Sequence, residues 1–138
     1  MVFQERTYSV LIVSATDSFT NSVMPLLPVT DYWPVSTVRS VGEARRKLTD
    51  TEFDIVLINT PLPDDFGMGL AIDVCASSGA GVLLLVKSEQ YNDVYAKVVG
   101  YGVITLSKPT NRQMVAQNLR ILCATRERIR QMQAKQAT

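Results

Sequence analysis

The chain has 138 residues, of which 46% are hydrophobic and 20% are charged, and its formal net charge is +1. This length and balance predict one globular domain with its own core, and they exclude an intrinsically disordered chain. No apolar run reaches the roughly 18 residues that a membrane-spanning helix needs, and the charged start MVFQERTYSV is unlike a signal peptide. We therefore expect a cytoplasmic protein without a membrane partner.

The content of histidine and cysteine narrows the possible chemistry. The chain has no histidine, which excludes Ser-His-Asp and Cys-His catalysis and any zinc site with histidine ligands. The two cysteines, Cys75 and Cys123, lie far apart in sequence and form no CxxC motif. We interpret both as reduced thiols in or near the core, and we expect no metal and no cofactor.

Strand and helix patterns alternate along the chain. Aliphatic and β-branched runs predict buried strands, and the more polar segments between them predict helices. In chain order, the strands are predicted at residues 8–13, 33–40, 53–59, 81–86 and 103–106. The helices are predicted at residues 14–27 (with a break at Pro25), 40–49, 68–78, 88–102 and from 110 onwards. Two helix starts have the spacing of a capping box, at Ser40/Glu43 and at Thr110/Gln113.

The order of these elements is a strand followed by a helix, repeated five times. This order predicts an α/β fold in which helices cover both faces of a parallel sheet. Sites in such sheets lie beyond the carboxyl ends of the strands. The most informative strand end lies in the stretch DIVLINTPLPDDFG. A buried strand ends there at Asn59, and a loop marked by two prolines and a glycine follows it.

From about Tyr8 to Cys123 the chain resembles the receiver domain of two-component response regulators. The stretch NTPLPDDFG after the third strand, and the pair Lys108 and Pro109 after the fifth, carry most of this resemblance. The resemblance implies a flavodoxin-like, doubly wound (βα)5 sandwich. Its parallel five-stranded sheet would have the order 2-1-3-4-5, and here it would be followed by an extended C-terminal helix.

Working receivers place a magnesium-binding acidic pair after strand 1, a phosphoacceptor aspartate at the end of strand 3, a switch hydroxyl after strand 4 and a lysine after strand 5. By the resemblance, these positions fall on Ser14 and Ala15, on Asn59, on Val86 followed by Lys87, and on Lys108 followed by Pro109. Only the Lys-Pro pair matches. An amide is not a carboxylate nucleophile, and magnesium favours carboxylate ligands. The resemblance therefore implies a degenerate receiver, or pseudo-receiver, without enzymatic activity.

Two other functions stay open at this point. Asp64 or Asp65 in the loop could serve as a phosphoacceptor in place of Asn59. Alternatively, the altered pocket could bind a small anion or metabolite, because Lys87 and Lys108 would make it neutral or basic. Asn59 could cap the end of its strand through hydrogen bonds with loop amides. Its carbonyl oxygen could also accept a hydrogen bond from Lys108, which would hold this position in one conformation.

The final helix pattern continues well past the receiver resemblance. Residues 111–138 contain six basic residues and one acidic residue, so this segment carries +5 and the remaining chain carries −4 of the total +1. We divide the chain into a receiver-like domain at 1–123 and a helical extension at 124–138, a linker or the start of a coiled coil. A weak heptad repeat predicts dimer contacts at Leu119, Leu122 and Ile129, with Arg126 and Gln133 in intermediate core positions.

This arrangement is similar to that of ANTAR-type antitermination regulators. In that family a receiver leads through a coiled coil into a small RNA-binding domain. The resemblance implies a homodimer formed through the last helix, with a sensor or output protein as a further partner. The function would be control of transcription or antitermination, and nucleic acid would be bound only by an output domain outside these 138 residues.

Overall fold

The computed structural model describes residues 6–137, and its centre is a parallel sheet with the strand order β2-β1-β3-β4-β5. The strands are β1 (Tyr8–Val13), β2 (Tyr32–Val38), β3 (Ile55–Asn59), β4 (Gly81–Lys87) and β5 (Ile104–Lys108). The helices are α1 (Asp17–Val23), α2 (Val41–Asp50), α3 (Met68–Ser78), α4 (Tyr91–Val98) and α5 (Arg112–Ala137). The predicted flavodoxin-like α/β fold and its strand order are confirmed.

Apolar side chains from the sheet fill two layers, one on each face. Leu11 and Val13 of β1 face α2, α3 and α4, whereas Val10 and Ile12 face α1 and α5. Successive residues of a strand point to opposite faces, so a strand that is covered on both faces must be apolar throughout. This requirement explains the uninterrupted aliphatic runs in the sequence.

The ends of several elements differ from those predicted from the pattern. The first helix is shorter than predicted, and a 3-10 turn at Met24–Leu26 follows it. Pro25 lies in this turn, so the predicted break is confirmed. Helix α4 lies between two further 3-10 turns and gives way to Gly102, whose φ of +89° is in the left-handed region that favours glycine.

One of the two predicted capping boxes is wrong by a residue. Ser40 caps α2 as predicted, since its Oγ accepts from the amide of Glu43 at 3.1 Å. At α5, however, the cap is Asn111, whose Oδ1 accepts from the amide of Met114 at 2.8 Å. Asn caps a helix at least as well as Thr, and Asn111 is the residue directly before the first helical position.

Helix α5 has 26 residues and runs without interruption across the predicted boundary at residue 123. At a rise of 1.5 Å per residue it is about 39 Å long. Its side chains from residue 131 onwards are exposed.

Among residues 6–137, every helix is either too short or too polar to span a membrane.

Strand β4 and helix α5 pack tightly against each other at Gly81. A Cβ atom added there would lie 2.8 Å from Leu122 Cδ2 and 3.0 Å from Leu122 Cβ. Because the second of these atoms cannot move away without the helix, we expect Gly81→Ala to lower the free energy of unfolding by about 1–3 kcal/mol. Urea denaturation should show this as a lower midpoint. Gly100→Ala is the control, since no atom lies within 4 Å of its added Cβ. Equal midpoints for the two variants would contradict this packing.

Candidate functional site

The candidate site lies at the carboxyl end of the sheet, as the topology predicted. The Lys108 side chain from the end of β5 reaches across to the end of β3. Its Nζ donates to Asn59 Oδ1 at 2.9 Å and also to the backbone oxygen of Thr60. The predicted hydrogen bond between Lys108 and Asn59 is therefore confirmed.

A neutral chain of hydrogen bonds continues from Asn59 towards β1. Asn59 Nδ2 donates to Ser14 Oγ at 3.1 Å, and Ser14 Oγ also accepts from the amide of Thr16 at 3.2 Å. Ser14 and Asn59 are both buried, so each polar atom needs such a partner. The three linked side chains of Lys108, Asn59 and Ser14 therefore supply one positive charge and no negative charge.

Two lysines lie side by side at this edge of the sheet. Lys87 and Lys108 are register partners on β4 and β5. Desolvation lowers the pKa of Lys108, and the neighbouring positive charge of Lys87 lowers that pKa further. In the part of the chain that the structure describes, neither lysine forms an ion pair.

The other predicted positions have quite different surroundings. Val86 is fully buried in the core layer that faces α3 and α4. The backbone oxygen of Ala15 accepts from Arg39 Nη2 at 2.6 Å, and the same guanidinium pairs with Asp17 at 2.7 Å. Arg39 was not identified from the sequence, where it lies in a weak strand pattern with no visible acidic partner.

Asp64 lies outside the site and binds the start of α2. Its two carboxylate oxygens accept from the amides of Val41 at 3.0 Å and Gly42 at 2.8 Å. These two hydrogen bonds lower the pKa of Asp64, because they stabilise the charged carboxylate. The bond from the Gly42 amide contributes most, and the bond from the Val41 amide comes next. The sequence gives no sign of this contact, because 22 residues separate Asp64 from Gly42.

Side chains suited to metal binding are not gathered at the site. Across residues 6–137, no three His, Cys, Asp or Glu side chains are grouped as metal ligands would be.

Solved structures with this architecture include receiver domains. The chain is similar to a signal receiver domain of an HD domain-containing protein from Pseudomonas fluorescens Pf-5, with 22% identity, a TM-score of 0.79 and coverage of 95% of this chain and 96% of that one. It is also similar to a CheY-like response regulator receiver domain protein from Methanospirillum hungatei JF-1, with 19% identity, a TM-score of 0.72 and coverage of 89% and 99%. The chain has the receiver fold.

A third similar structure is an adenylate cyclase from Rhodopirellula baltica, with 15% identity, a TM-score of 0.84 and coverage of 96% of this chain and 99% of that one. No protein-family model matches the chain, and no curated protein matches it. At these identities the likeness establishes the fold, and the function must be argued from the site itself.

A second polar cluster lies at the opposite end of the receiver fold. We call it the Asp54 cluster, and it consists of Asp54, Arg126, Arg130 and Ser9. Asp54 Oδ1 accepts from Arg126 Nε at 3.1 Å and from Arg130, and Asp54 Oδ2 accepts from the Ser9 amide at 2.9 Å. Arg126 also donates to the backbone oxygen of Ser78 at 3.3 Å. The cluster joins β1, the start of β3, the end of α3 and the distal half of α5.

The Asp54 cluster corrects the interpretation of the last helix. Leu119 and Leu122 are buried in the core of the same chain, at 0% and 3% exposure, so a second copy cannot reach them. Arg126 binds Asp54 and does not fill a coiled-coil position, and Ile129 is half-buried beside Gly79. A helix that packs on its own sheet repeats its apolar residues at nearly the spacing of a dimer seam, and this similarity caused the error.

Ion pairs attach the basic C-terminal segment, residues 111–138, to the rest of the fold. Asp54 pairs with both Arg126 and Arg130, and Glu127 of the same helix pairs with Arg6. Tyr8 donates to the same Glu127 carboxylate at 3.2 Å. Burial, and after it the charge of Glu127, raises the pKa of Tyr8. Helix α5 is therefore held against the body of the fold as far as residue 130.

Proposed function

We propose that the chain is a non-enzymatic signalling module of the receiver fold that works without phosphorylation of an aspartate. The observation that carries this proposal is the hydrogen-bonded series of side chains from Lys108 through Asn59 to Ser14, which contains no carboxylate. By the resemblance, Asn59 stands at the phosphoacceptor position, and Ser14 stands with Ala15 at the acidic pair. An amide supplies no carboxylate nucleophile, and these side chains supply no charge to hold magnesium.

The same chain of bonds favours one constant state of the site. Lys108 uses two of its three donors on Asn59 and on the backbone of Thr60. In a working receiver this lysine contacts the phosphoryl group. Here two neutral oxygen atoms of the protein already accept from this lysine. The conformation at this end of the sheet therefore does not depend on a phosphoryl group.

The surroundings of Asp64 argue against the rival function of a phosphorylated receiver. Both of its oxygens are bonded to amides at the start of α2. An attack on a phosphodonor would have to break these bonds, which stabilise the carboxylate where it is. Asp65 is exposed in the same loop and is the only other carboxylate that the loop offers.

We further propose that the module acts as a homodimer through the outward face of α5. Met114, Ile121 and Met132 are exposed on this helix at 41%, 55% and 62%. At about 100° per residue their spacings of seven and eleven residues place all three within about 20° of one line. This stripe lies about 80–160° around the helix from Leu119 and Leu122, and a second copy would cover it over most of the helix length.

In this proposal the dimer would position an output element for control of transcription or antitermination. The contacts of Arg126 and Arg130 with Asp54 support a boundary near residue 130, later than the predicted 123. The exposed residues that follow would then form the linker towards that element. A sensor or output protein is the further partner that this role requires.

Light scattering tests the dimer and the independence from phosphate together. We expect a dimer whose mass does not change with acetyl phosphate and magnesium, and a mass spectrum without the adduct of roughly 80 Da that one phosphoryl group adds. Ile121→Glu should give a monomer, because a charge in the centre of an apolar contact is costly to desolvate.

Gln131→Glu introduces the same side chain at an exposed position, about 80° around the helix from Ile121. This control variant should remain a dimer. A wild-type monomer that dimerises only when it gains the phosphoryl adduct would overturn the proposal.

A second candidate function, an anion sensor, is favoured by the pair of Lys87 and Lys108. Their register places two positive charges side by side, and the charge of Lys87 adds to desolvation in lowering the pKa of Lys108. A bound anion would relieve this repulsion. Inorganic phosphate or sulfate is the ligand class that such a pair would take.

A further inference from the structure

An open groove lies beside the candidate site, between α1 and the start of α5. Its volume is about 610 Å³, which is in the range of small-molecule sites. Phe19, Val23, Leu26, Leu85 and Val115 form its apolar wall. At one end, the polar residues of the turn before α5 and the first turn of that helix replace this wall.

The groove exists because α1 covers its side of the sheet poorly. The helix has seven residues, and Val23 is the only one of them that is buried. Pro25 then ends the helical path in a 3-10 turn. The apolar side chains that a longer helix would cover stay accessible from the groove.

The charged side chains of the groove are all cationic. Lys108 and Arg112 line it, and its lining residues include no carboxylate. Arg112 is exposed and forms no ion pair within residues 6–137. Lys108 retains one donor beyond those bonded to Asn59 and Thr60.

We propose that this groove binds a small carboxylate with an apolar tail. The planar guanidinium of Arg112 matches a carboxylate in a bidentate pair, and the free donor of Lys108 can bind the same head group. The tail would lie along Phe19, Val23 and Leu26. An inorganic anion would leave this apolar wall in water, so the groove favours an amphipathic ligand over phosphate.

The position of Lys108 connects the groove to the candidate site. Its ammonium group bonds Asn59 and lines the groove at the same time. A carboxylate bound there would accept from the donor of Lys108 that Asn59 and the Thr60 oxygen leave unused. The inference goes beyond the proposed function, since binding in the groove depends neither on the dimer nor on the missing acids.

Isothermal titration calorimetry with decanoate tests the inference on the whole chain. We expect saturable binding of one decanoate per chain. Octanoate should bind more weakly by about fourfold for each CH₂ that the groove no longer buries. Arg112→Gln should weaken decanoate binding by about tenfold or more, since it removes a hydrogen bond between charged groups. Decanol and inorganic phosphate should each bind far more weakly than decanoate.

Two matched pairs of variants locate the binding. Ser22→Trp fills the groove from α1 and should abolish binding, whereas Ser18→Trp, on the same helix but outside the groove, should not. Arg128→Gln, which removes an exposed charge elsewhere on α5, should bind like the wild type. Absence of decanoate binding, or binding that Ser22→Trp and Arg112→Gln leave unchanged, overturns the inference. Phosphate binding as tight as decanoate binding would also overturn it, in favour of a plain anion site.

Discussion

Replacement of Asp54 by asparagine should lower the free energy of unfolding by about 3–5 kcal/mol, because it breaks a buried ion pair by removing one partner. Asp54 and Arg126 are 4% and 6% exposed. Asparagine is similar in shape and still accepts hydrogen bonds, but it leaves the guanidinium of Arg126 without its counter-charge. Urea denaturation followed by circular dichroism measures the loss.

The matched control is Asp50→Asn, which removes an exposed carboxylate at the end of α2 and should stay within about 0.5 kcal/mol of the wild type. A double variant with Arg126→Met should be less destabilised than the sum of the single variants, because the buried charge leaves with its partner. An Asp54→Asn midpoint equal to that of the control would contradict the role given to this cluster.

The same substitution should loosen the distal half of α5 before the rest of the fold. Arg126 and Arg130 bind the body through the carboxylate of Asp54. Without it, this segment keeps fewer contacts and opens at a lower free energy. Trypsin should therefore cut after Arg128 faster in Asp54→Asn than in the wild type, under conditions in which both remain folded.

The fold could be predicted from the sequence because its strands are covered on both faces. Such strands must be apolar at every position, so β1, β3 and β4 appear as uninterrupted aliphatic runs. The strand–helix order then fixes a parallel sheet and the end at which a site can lie. The bond between Lys108 and Asn59 followed from the resemblance, which gave each residue its place at that end.

The contacts of Asp54 and Asp64 could not be predicted, because their partners lie far away in sequence. Arg126 is 72 residues from Asp54, and no local pattern links them. One signal was present. Asp54 opens the apolar run DIVLIN, and an acid directly beside a buried strand needs a counter-charge. The heptad spacing in α5 was ambiguous, since packing on the chain's own sheet and packing on a partner produce similar patterns.

The second large effect tests the proposal that the carboxyl end of the sheet does not accept a phosphoryl group. We expect Asn59→Asp alone to gain no phosphoryl group from acetyl phosphate and magnesium, because one carboxylate beside Lys108 does not make a magnesium site. A triple variant that combines it with Ser14→Asp and Ala15→Asp should gain an adduct of roughly 80 Da. Mass spectrometry of the intact chain measures both, with Asp64→Asn as the control for the loop carboxylate.

The result for the triple variant separates the side chains from the scaffold. Phosphorylation of the triple variant would mean that the fold still places Lys108 correctly. The three side chains that it replaces would then be enough to explain why the wild type stays in one constant state. A triple variant that folds but gains no adduct would move the cause to the buried Val86 and to Lys87, which by the resemblance stand at the switch position. An adduct on the wild type that Asp64→Asn abolishes would instead establish a phosphorylated receiver with a displaced carboxylate.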